Sequence, residues 1–383
     1  MEKIIYMDNA ATTKPRKEVV EAMLPYLEEY YANPSSMYGI AIENQKVIQD
    51  CRKRIADTLG AEVEEIYFTA GGSEADNWAL KGVAHANRCK GRHIITTKIE
   101  HHAVLNSCKY LEEEGFEVTY LNVDEYGRIR MEELEEAIRE DTILISVMAA
   151  NNEIGTIEPI WEAAKLAKKK GVLFHTDGVQ MYGQMPIDVN YLAADLISVS
   201  GHKLKAPRGS GFLYVRKGTK ISPFINGGGQ EMGMRAGTEN TAAIVGMAKA
   251  AELAVCTMNY RIRKETNQRN YLIRRILREI PGVRLNGHPY YRLPSNANFC
   301  FEEIEGESLL ILLDLKGICA SAGSACTTGN TQPSHVLTAI GLDDKTANAS
   351  LRLSISEDIT KIELDYVVEV LKESVRSLRE KSG

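Results

Sequence analysis

One lysine follows an apolar run in a setting that suits covalent chemistry. Lys203 lies in SVSGHKLKAPRGSGFLYV, directly after the run LISVS and beside Ser200 and His202. Lysine is rarely buried without a partner, so an amine near the end of a buried strand, among small and hydroxylic residues, is a candidate Schiff-base nucleophile. The alternative is an ordinary surface lysine in a loop.

Three other apolar runs end in polar residues that could act beside such a lysine. TAGGSEADN places two glycines and then Ser73 where a strand passes into a helix, and the exposed amides of a helix start favour an anion. KIEHHAV places His101 beside His102, and HTDGVQ places Asp177 shortly before Gln180. An imidazole could stack on a ligand or move a proton, and a carboxylate could hold a cationic ring nitrogen. Each pattern alone is equally consistent with a common turn, a pair of surface histidines or a helix cap.

Together the four strand ends offer an anion site, an aromatic ring, a carboxylate and an amine. Pyridoxal phosphate needs one such group each for its phosphate, its ring face, its ring nitrogen and its aldehyde. In parallel sheets the ligand lies at the carboxyl ends of the strands, where these groups would meet. The sequence therefore predicts a pyridoxal phosphate site.

A seventh cysteine lies in a segment with almost no large apolar residues. CASAGSACTTGN surrounds Cys326 with Gly, Ala, Ser and Thr. A structural cysteine usually prefers an apolar core, whereas this composition is typical of a mobile loop. A chemical role and an ordinary unused thiol are both consistent with this stretch alone.

The elements that would position these residues are seven apolar runs that alternate with helical patterns. The runs are EIYFTA (65–70), HIITTK (93–98), FEVTYL (116–121), TILISVMAA (142–150), VLFHTD (172–177), LISVS (196–200) and GFLYV (211–215). Strand, helix and strand at this spacing predict an α/β fold with a mainly parallel, seven-stranded sheet covered by helices.

The C-terminal part predicts a second, smaller α+β domain. A long helical stretch over roughly 239–279 leads to ANFCFEE, SLLILLDLKG, SLRLSIS and a final helix over about 359–380. We expect a large cofactor-binding domain of residues 15–258 and a small domain of residues 1–14 and 259–383, hinged near residue 260. The small domain would carry the Cys326 loop, over about 321–334.

Composition narrows the class of protein. The 46 basic and 52 acidic residues give a net charge of −6, which argues against a basic nucleic-acid-binding face. No run approaches the length of a membrane span, and the N-terminus lacks the apolar core of a secretory signal. The seven cysteines are scattered without a CxxC pair, so neither disulfides nor a zinc site are indicated. These features predict a reduced, cytoplasmic protein.

The whole chain resembles the cysteine desulfurases of the NifS/IscS type, a branch of the class-V aminotransferase-like pyridoxal phosphate enzymes of fold type I. Ten segments carry the resemblance in the family's order: YMDNAATT, NPSSMYG, FTAGGSEADN, EHHAV, NNEIGT, HTDGVQ, SGHK, GGGQEMGMRAGTEN, SAGSACTTGN and SLRLS. The resemblance implies that L-cysteine is converted to L-alanine, with its sulfur transferred to the protein.

The resemblance also implies a role for each residue around the cofactor ring. Lys203 would carry the cofactor as a Schiff base and move the proton at the substrate Cα. Asp177 would pair with the ring nitrogen, Gln180 would hydrogen-bond the phenolic oxygen, and His101 would stack on the ring and assist proton transfer.

Further roles concern the phosphate and the substrate carboxylate. Asn152 and Arg352 would bind that carboxylate, and Asn152 would also contact the cofactor. Thr238 would reach the phosphate of a partner subunit, which implies a homodimer. The phosphate would otherwise be held by Gly72, Ser73, Ser200 and His202. Ser73 is a departure, since many relatives have threonine there, but both residues supply a hydroxyl.

In the family, the equivalent of Cys326 attacks the substrate sulfur and becomes a persulfide. The loop looks like the family's long, mobile form, whose thiol would reach the cofactor and then an outside acceptor. Iron–sulfur scaffold proteins and tRNA-thiolation proteins are the expected acceptors. No resident metal is expected, although Cys326 could be a transient iron–sulfur ligand. For Cys319 a packing role is expected.

Three alternatives share the same sequence features. A selenocysteine lyase would use the same electron flow, whereas a simple aminotransferase would not need Cys326. A non-catalytic scaffold in a sulfur-transfer complex would have kept the fold without the chemistry, which the presence of Lys203 and Cys326 argues against.

Overall fold

The computed structural model of the chain describes residues 4–323 and 333–382. Its strands are β1 (Ile5–Tyr6), β2 (Ile66–Thr69), β3 (His93–Thr97), β4 (Glu117–Leu121), β5 (Thr142–Ser146), β6 (Leu173–Asp177), β7 (Leu196–Ser200), β8 (Gly211–Val215), β9 (Val283–Asn286), β10 (Asn296–Phe301), β11 (Ile318–Cys319) and β12 (Ser350–Ser354). Its helices are α1 (Lys17–Met23), α2 (Pro25–Glu28), α3 (Gly39–Leu59), α4 (Gly72–Asn87), α5 (His102–Glu113), α6 (Met131–Ala137), α7 (Ile160–Lys170), α8 (Thr241–Cys256), α9 (Met258–Glu279), α10 (Gly306–Asp314), α11 (His335–Ala339), α12 (Asp344–Asn348) and α13 (Lys361–Ser382).

A seven-stranded sheet forms the centre of the larger part of the chain. Its strand order is β2-β8-β7-β6-β5-β3-β4, and β8 runs opposite to the other six strands. Every residue of β3, β5, β7 and β8 is buried, as expected for strands with helices on both faces. The predicted α/β fold with a mainly parallel seven-stranded sheet is confirmed.

A predicted strand is longer than the observed one where its apolar run continues beyond the last residue that pairs with a neighbouring strand. The run 142–150 forms a strand only to Ser146. Met148, Ala149 and Ala150 are still buried although they lie beyond the strand, and Met148 lines a cavity at the end of the sheet. Hydrophobic pattern alone does not separate these two kinds of burial.

The long helical stretch is two helices that meet at Thr257. The hydroxyl of Thr257 donates to Leu253 O at 2.7 Å, and Arg261 Nη2 donates to Ala254 O at 2.8 Å, so these groups satisfy carbonyls at the end of α8. Helices α8 and α9 are bent by 70° at this break. Within residues 4–323 and 333–382, no single helix is long and apolar enough to cross a membrane, and this bent pair passes only when both halves are counted together.

Residues of the second part of the chain build their own apolar cluster. Strands β12, β10 and β9 form an antiparallel sheet, and β1 pairs with β11. The cluster combines Ile5 and Met7 with residues from Leu272 to Val375, although Leu293, Cys300 and Val336 join the core beneath the large sheet. The division into residues 15–258 and 1–14 plus 259–383 remains a prediction.

A buried ion pair joins α3 to the segment that precedes Thr238. Arg52 Nη1 and Nη2 donate to Glu231 Oε2 and Oε1 at 2.7 and 2.8 Å, and the two side chains are only 5% and 3% exposed. Phe68 N–H also donates to Glu231 Oε2, at 2.8 Å. These contacts tie the 231–238 segment to the edge of the sheet.

We expect Arg52→Ala to lower the free energy of unfolding by about 3–5 kcal/mol, because it leaves the Glu231 carboxylate buried without its cation. The matched control is Arg139→Ala, which removes an exposed cation that pairs with Glu117 and Asp141 and should barely move the transition. Urea unfolding of the two variants beside the wild type measures the difference. Equal midpoints for all three proteins would show that the buried pair does not stabilise the fold.

Candidate active site

Four strand ends converge at the carboxyl edge of the large sheet. Strand β6 ends at Asp177, and β7 ends at Ser200, immediately before a 3-10 turn of Gly201–Lys203. Strand β3 leads to His101 at the start of α5, and β2 leads through Gly71 into α4. Because β2 is antiparallel to β8, and β8 to β7, the end of β2 lies at the same edge.

These ends surround a cavity of about 200 Å³ that also reaches the N-terminal segment and β12. Ten predicted site residues line it: Gly72, Ser73, His101, Asn152, Asp177, Gln180, Ser200, His202, Lys203 and Arg352. Thr238 is not among them, and Cys326 lies outside the described residues. The sequence thus identified residues that the fold brings together, although their individual roles remain predictions.

The first strand end forms a close-packed cradle at the start of α4. Gly71 has φ 153° and ψ −177°, a conformation that side chains other than hydrogen avoid. A Cβ at Gly72 would lie 2.6 Å from Val179 Cγ2 and 3.3 Å from Ser200 Cβ. Because neither glycine has a side chain, a ligand can approach the backbone here closely. The amides at the start of this 16-residue helix favour an anion.

Asp177 presents its carboxyl from the floor of the cavity. Its Oδ1 accepts a hydrogen bond from Val179 N at 2.9 Å. Burial raises the pKa of Asp177, and the Val179 N–H and the nearby Lys203 oppose that rise. A cationic group placed against this carboxyl would favour its ionised form.

Two further buried ionisable residues, Asp76 and His175, lie near Asp177. Asp76, on α4, lines the cavity, is 1% exposed, and its Oδ1 has no hydrogen-bond partner among the described residues. Burial, and then the neighbouring Asp177, raise the pKa of Asp76 well above its ordinary value. His175 bonds to Ser146 Oγ at 2.8 Å and Ser198 Oγ at 2.9 Å, and burial lowers its pKa to about 3. His175 is therefore neutral and fixed beneath the site.

The Lys203 amine projects into the cavity beside the N-terminal segment. Its Nζ donates to Ala10 O at 2.6 Å and to Ala11 O at 2.7 Å. Gln180 Nε2 donates to the same Ala10 carbonyl at 3.2 Å. The predicted amine of the site is thus held against two backbone oxygens of the N-terminal segment.

His101 is both a helix cap and a wall of the cavity. Its Nδ1 accepts from Ala103 N at 3.1 Å, which places the proton of the neutral ring on Nε2. Burial, with His102 and Lys203 nearby, lowers the pKa of His101 to about 4. At neutral pH this imidazole is therefore uncharged and carries its proton on Nε2, so it can donate a hydrogen bond there.

Arg352, the middle residue of β12, is the cation at the far side of the cavity. It is 1% exposed, and Nη1 donates to the carbonyls of Asn152 and Gly323 at 3.2 and 3.1 Å. Nη2 forms an ion pair with Asp8 Oδ1 at 2.8 Å. Such an arginine could bind a carboxylate through its remaining donors.

The N-terminal segment therefore touches four site residues, a role that the sequence did not reveal. Asp8 contacts Arg352, Ala10 and Ala11 accept from Lys203, Ala10 also accepts from Gln180, and Thr12 Oγ1 lies 3.2 Å from His202 Nδ1. The signal was present, since YMDNAATT belongs to the family's motifs. Three of these contacts use backbone oxygens, which leave no side-chain signature.

Thr238 lies apart from the other predicted residues. It is exposed and lines a neighbouring cavity with Gly209 and Glu231. A second cavity, lined by Gly72, Ser73 and Arg208, opens at the cradle. The role expected for Thr238, at the phosphate of a partner subunit, remains a prediction.

The residues present fit pyridoxal phosphate. The Gly71–Gly72 cradle is space that a Cβ would fill, and it lies at a helix start suited to a phosphate. The buried Asp177 suits a protonated ring nitrogen, and the Lys203 amine suits an aldehyde. One cavity thus combines every group that the cofactor requires.

Comparisons with known proteins identify the family of the chain. A model of the Aminotransferase class-V family matches residues 5–367. The chain is 56% identical to the cysteine desulfurase IscS of Methanosarcina thermophila over 380 residues, which cover 99% of this chain and 94% of that protein. A solved NifS-like protein has a TM-score of 0.92 and 38% identity, with 98% of this chain and 100% of the other covered. A structure of SspA in complex with cysteine has a TM-score of 0.82 and 38% identity, covering 92% and 99%.

The fold and the cavity define a pyridoxal phosphate-dependent enzyme of fold type I. The family matches extend over nearly the full length of the chain. The chain belongs to the class-V aminotransferase family and, within it, to the cysteine desulfurases of the NifS/IscS type. The resemblance and the cofactor predicted from the sequence are confirmed.

Proposed function

We propose that the chain transfers the sulfur of L-cysteine to the thiol of Cys326, giving L-alanine and a Cys326 persulfide. Atoms balance, because the substrate loses one sulfur atom and the thiol gains it. The observation that carries the proposal is the single cavity lined by the Lys203 amine, the Asp177 carboxyl and the Arg352 guanidinium. The persulfide then passes its sulfur to an acceptor protein, and an iron–sulfur scaffold or a tRNA-thiolation protein is the acceptor class we propose.

The cofactor would be held at each of its polar groups by a different part of the site. Lys203 binds its aldehyde, Asp177 its ring nitrogen and Gln180 its phenolic oxygen, while His101 covers the ring face. The phosphate is assigned to Gly72, Ser73, Ser200 and His202. When bound, the cofactor withdraws electrons from the substrate Cα, which makes the Cα proton acidic.

The protein's own residues would orient the substrate and move its proton. Arg352 and Asn152 hold the α-carboxylate, which fixes Cα relative to the Lys203 amine. Once the substrate is bound, Lys203 Nζ accepts the Cα proton and returns it during the reaction. His101, a neutral ring with its proton on Nε2, assists by donating a hydrogen bond from Nε2 rather than by releasing that proton.

Elimination among the described cysteines supports Cys326 as the nucleophile. None of Cys51, Cys89, Cys108, Cys256, Cys300 and Cys319 lines the cavity that holds Lys203. Burial raises the pKa of Cys51, Cys108, Cys300 and Cys319, which disfavours the thiolate that a nucleophile needs. Cys319, in the short strand β11, keeps its expected packing role.

We also propose an oligomeric state, a domain for the Cys326 segment and a cellular location. The enzyme acts as a homodimer in which Thr238 of one subunit contacts the phosphate bound by the other. The small domain, of residues 1–14 and 259–383, carries the Cys326 segment. A cytoplasmic location is proposed from the scattered cysteines without paired spacing.

We expect Asp177→Asn to lower kcat by about 100-fold or more, because the amide cannot stabilise the protonated ring nitrogen. The matched control is Asp195→Asn. Asp195 lies at the opposite edge of the sheet, where its Oδ2 accepts from Phe174 N at 2.8 Å. Steady-state kinetics with the cofactor absorption spectrum measure both variants. Equal kcat values in the two variants would contradict the assignment of Asp177.

The experiment that tests the proposed function measures L-alanine and sulfide from L-cysteine, with a thiol reductant present and the cofactor bound. Equal amounts of the two products are expected. L-selenocysteine, in parallel, distinguishes a selenocysteine lyase, which would act on that substrate alone. A cofactor-loaded protein that forms neither product from either substrate would contradict the proposal.

A further inference from the structure

Among residues 4–323 and 333–382, Asp8 is the one carboxylate that forms an ion pair with the buried Arg352. The side chain of Arg352 is 1% exposed, and its ion pair with Asp8 spans 2.8 Å between Nη2 and Oδ1. The other contacts of its guanidinium are the neutral carbonyls of Asn152 and Gly323. A buried guanidinium without a counter-ion would carry a large desolvation cost, so Asp8 stabilises this cation when no substrate is present.

The contacts of Arg352 are distributed unevenly over its donors. Nη1 and Nη2 are engaged, whereas Nε is buried and has no hydrogen-bond partner within residues 4–323 and 333–382. Because Nε is enclosed by protein, the orientation of the guanidinium depends on what Nη1 and Nη2 contact. Asp8 is the charged one of these contacts, and a charge-assisted hydrogen bond is stronger than a neutral one.

We infer that Asp8 is a positioning residue for the substrate: by holding Nη2 it fixes the guanidinium of Arg352 in the orientation that meets an α-carboxylate. The inference rests on the proposed role of Arg352 in binding the substrate carboxylate. Asp8 itself does not touch the substrate. The ligand class that this guanidinium selects is free α-amino acids.

The N-terminal segment is attached to β12 by hydrogen bonds that do not involve the Asp8 side chain. Ser354 N donates to Met7 O at 2.7 Å, Asn9 N donates to Ser354 O at 3.3 Å, and Ala10 N donates to Ser354 Oγ at 2.8 Å. These bonds fasten the N-terminal segment to β12 without using the Asp8 carboxylate. Replacing the Asp8 side chain should therefore leave the segment, and the carbonyls that contact Lys203, in place.

The test is a double-mutant cycle between Asp8 and Arg352 in the cofactor-loaded protein. Asp8→Ala, Arg352→Gln and the double variant are compared for L-cysteine kcat/KM, from initial slopes, and for the dissociation constant of L-alanine, from cofactor absorbance. Asp8→Ala should raise KM and the L-alanine dissociation constant about 10-fold, with kcat within about two-fold. Asp8→Asn, whose amide oxygen still accepts from Nη2, should show roughly a third of that effect.

In the Arg352→Gln background, Asp8→Ala should change both quantities by less than about two-fold, because its effect passes through the guanidinium. An effect of equal size in both backgrounds would overturn the inference, since Asp8 would then have a separate structural role. Unchanged or tighter L-alanine binding by Asp8→Ala would also overturn it, the latter because Asp8 would be a competitor of the substrate. If the wild type made no L-alanine from L-cysteine, the proposed function would fail, and the L-alanine titration would still decide the role of Asp8.

Discussion

Lys203→Ala abolishes the formation of L-alanine from L-cysteine, with a loss of at least about 1,000-fold in kcat. The amine lies in the cavity, 2.6 Å from the Ala10 carbonyl, and the cavity lining includes no other lysine that could replace it. The variant loses both the covalent attachment of the cofactor and the base that moves the Cα proton. Kinetics are the first readout. Reduction with borohydride, followed by peptide mass spectrometry, is the second.

The control for this prediction is an exposed lysine at the same edge of the sheet. Lys98 follows β3, and its Nζ contacts Asn122 Oδ1 at 2.7 Å, away from the cavity. Lys98→Ala should keep kcat within about two-fold, because exposed polar contacts contribute little. Borohydride should fix the cofactor to the Lys203 peptide in the wild type and in the control only. Labelling of a different lysine would contradict the assignment.

Cys326→Ser removes the sulfur acceptor and should lower L-alanine formation by at least about 100-fold, since a hydroxyl is a far weaker nucleophile towards sulfur. The cofactor spectrum and the spectral change on adding L-cysteine should stay as in the wild type. Binding and activation of the substrate depend on Arg352 and Lys203, which are unchanged. Rapid-mixing absorbance and product analysis separate the two stages.

The matched control replaces another cysteine of the same region. Cys319→Ser alters a half-exposed thiol in β11, whose backbone carbonyl accepts from Met7 N at 2.8 Å. Its activity should remain within about three-fold of the wild type, because it retains every proposed catalytic group. If the two serine variants formed L-alanine at the same rate, Cys326 would not be the sulfur acceptor.

Much of the large sheet could be predicted because its signal is local. Runs such as LISVS and GFLYV are short, apolar and bounded by glycine, and both became strands with the predicted bounds. The candidate residues Asp177 and Lys203 were recognisable because polar groups directly after buried strands are unusual. Their meeting in one cavity follows from the shared edge of the strands.

Other features depend on contacts that no local pattern contains. The break at Thr257 is fixed partly by Arg261, whose guanidinium reaches the carbonyls of Ala254 and Gly183. The pairing of Asp8 with Arg352 joins residues from opposite ends of the sequence. Asp76 looked like one more polar residue of an amphipathic helix, and only its burial beside Asp177 distinguishes it.

The central claim, sulfur transfer from L-cysteine to Cys326, is tested most directly in a single turnover. The cofactor-loaded protein is mixed with a limiting amount of L-cysteine without reductant, L-alanine is quantified, and the bound sulfur is located by peptide mass spectrometry. The account predicts one persulfide per L-alanine, on the peptide that contains Cys326. L-alanine with the sulfur on another cysteine, or sulfide released with pyruvate and no L-alanine, would contradict it.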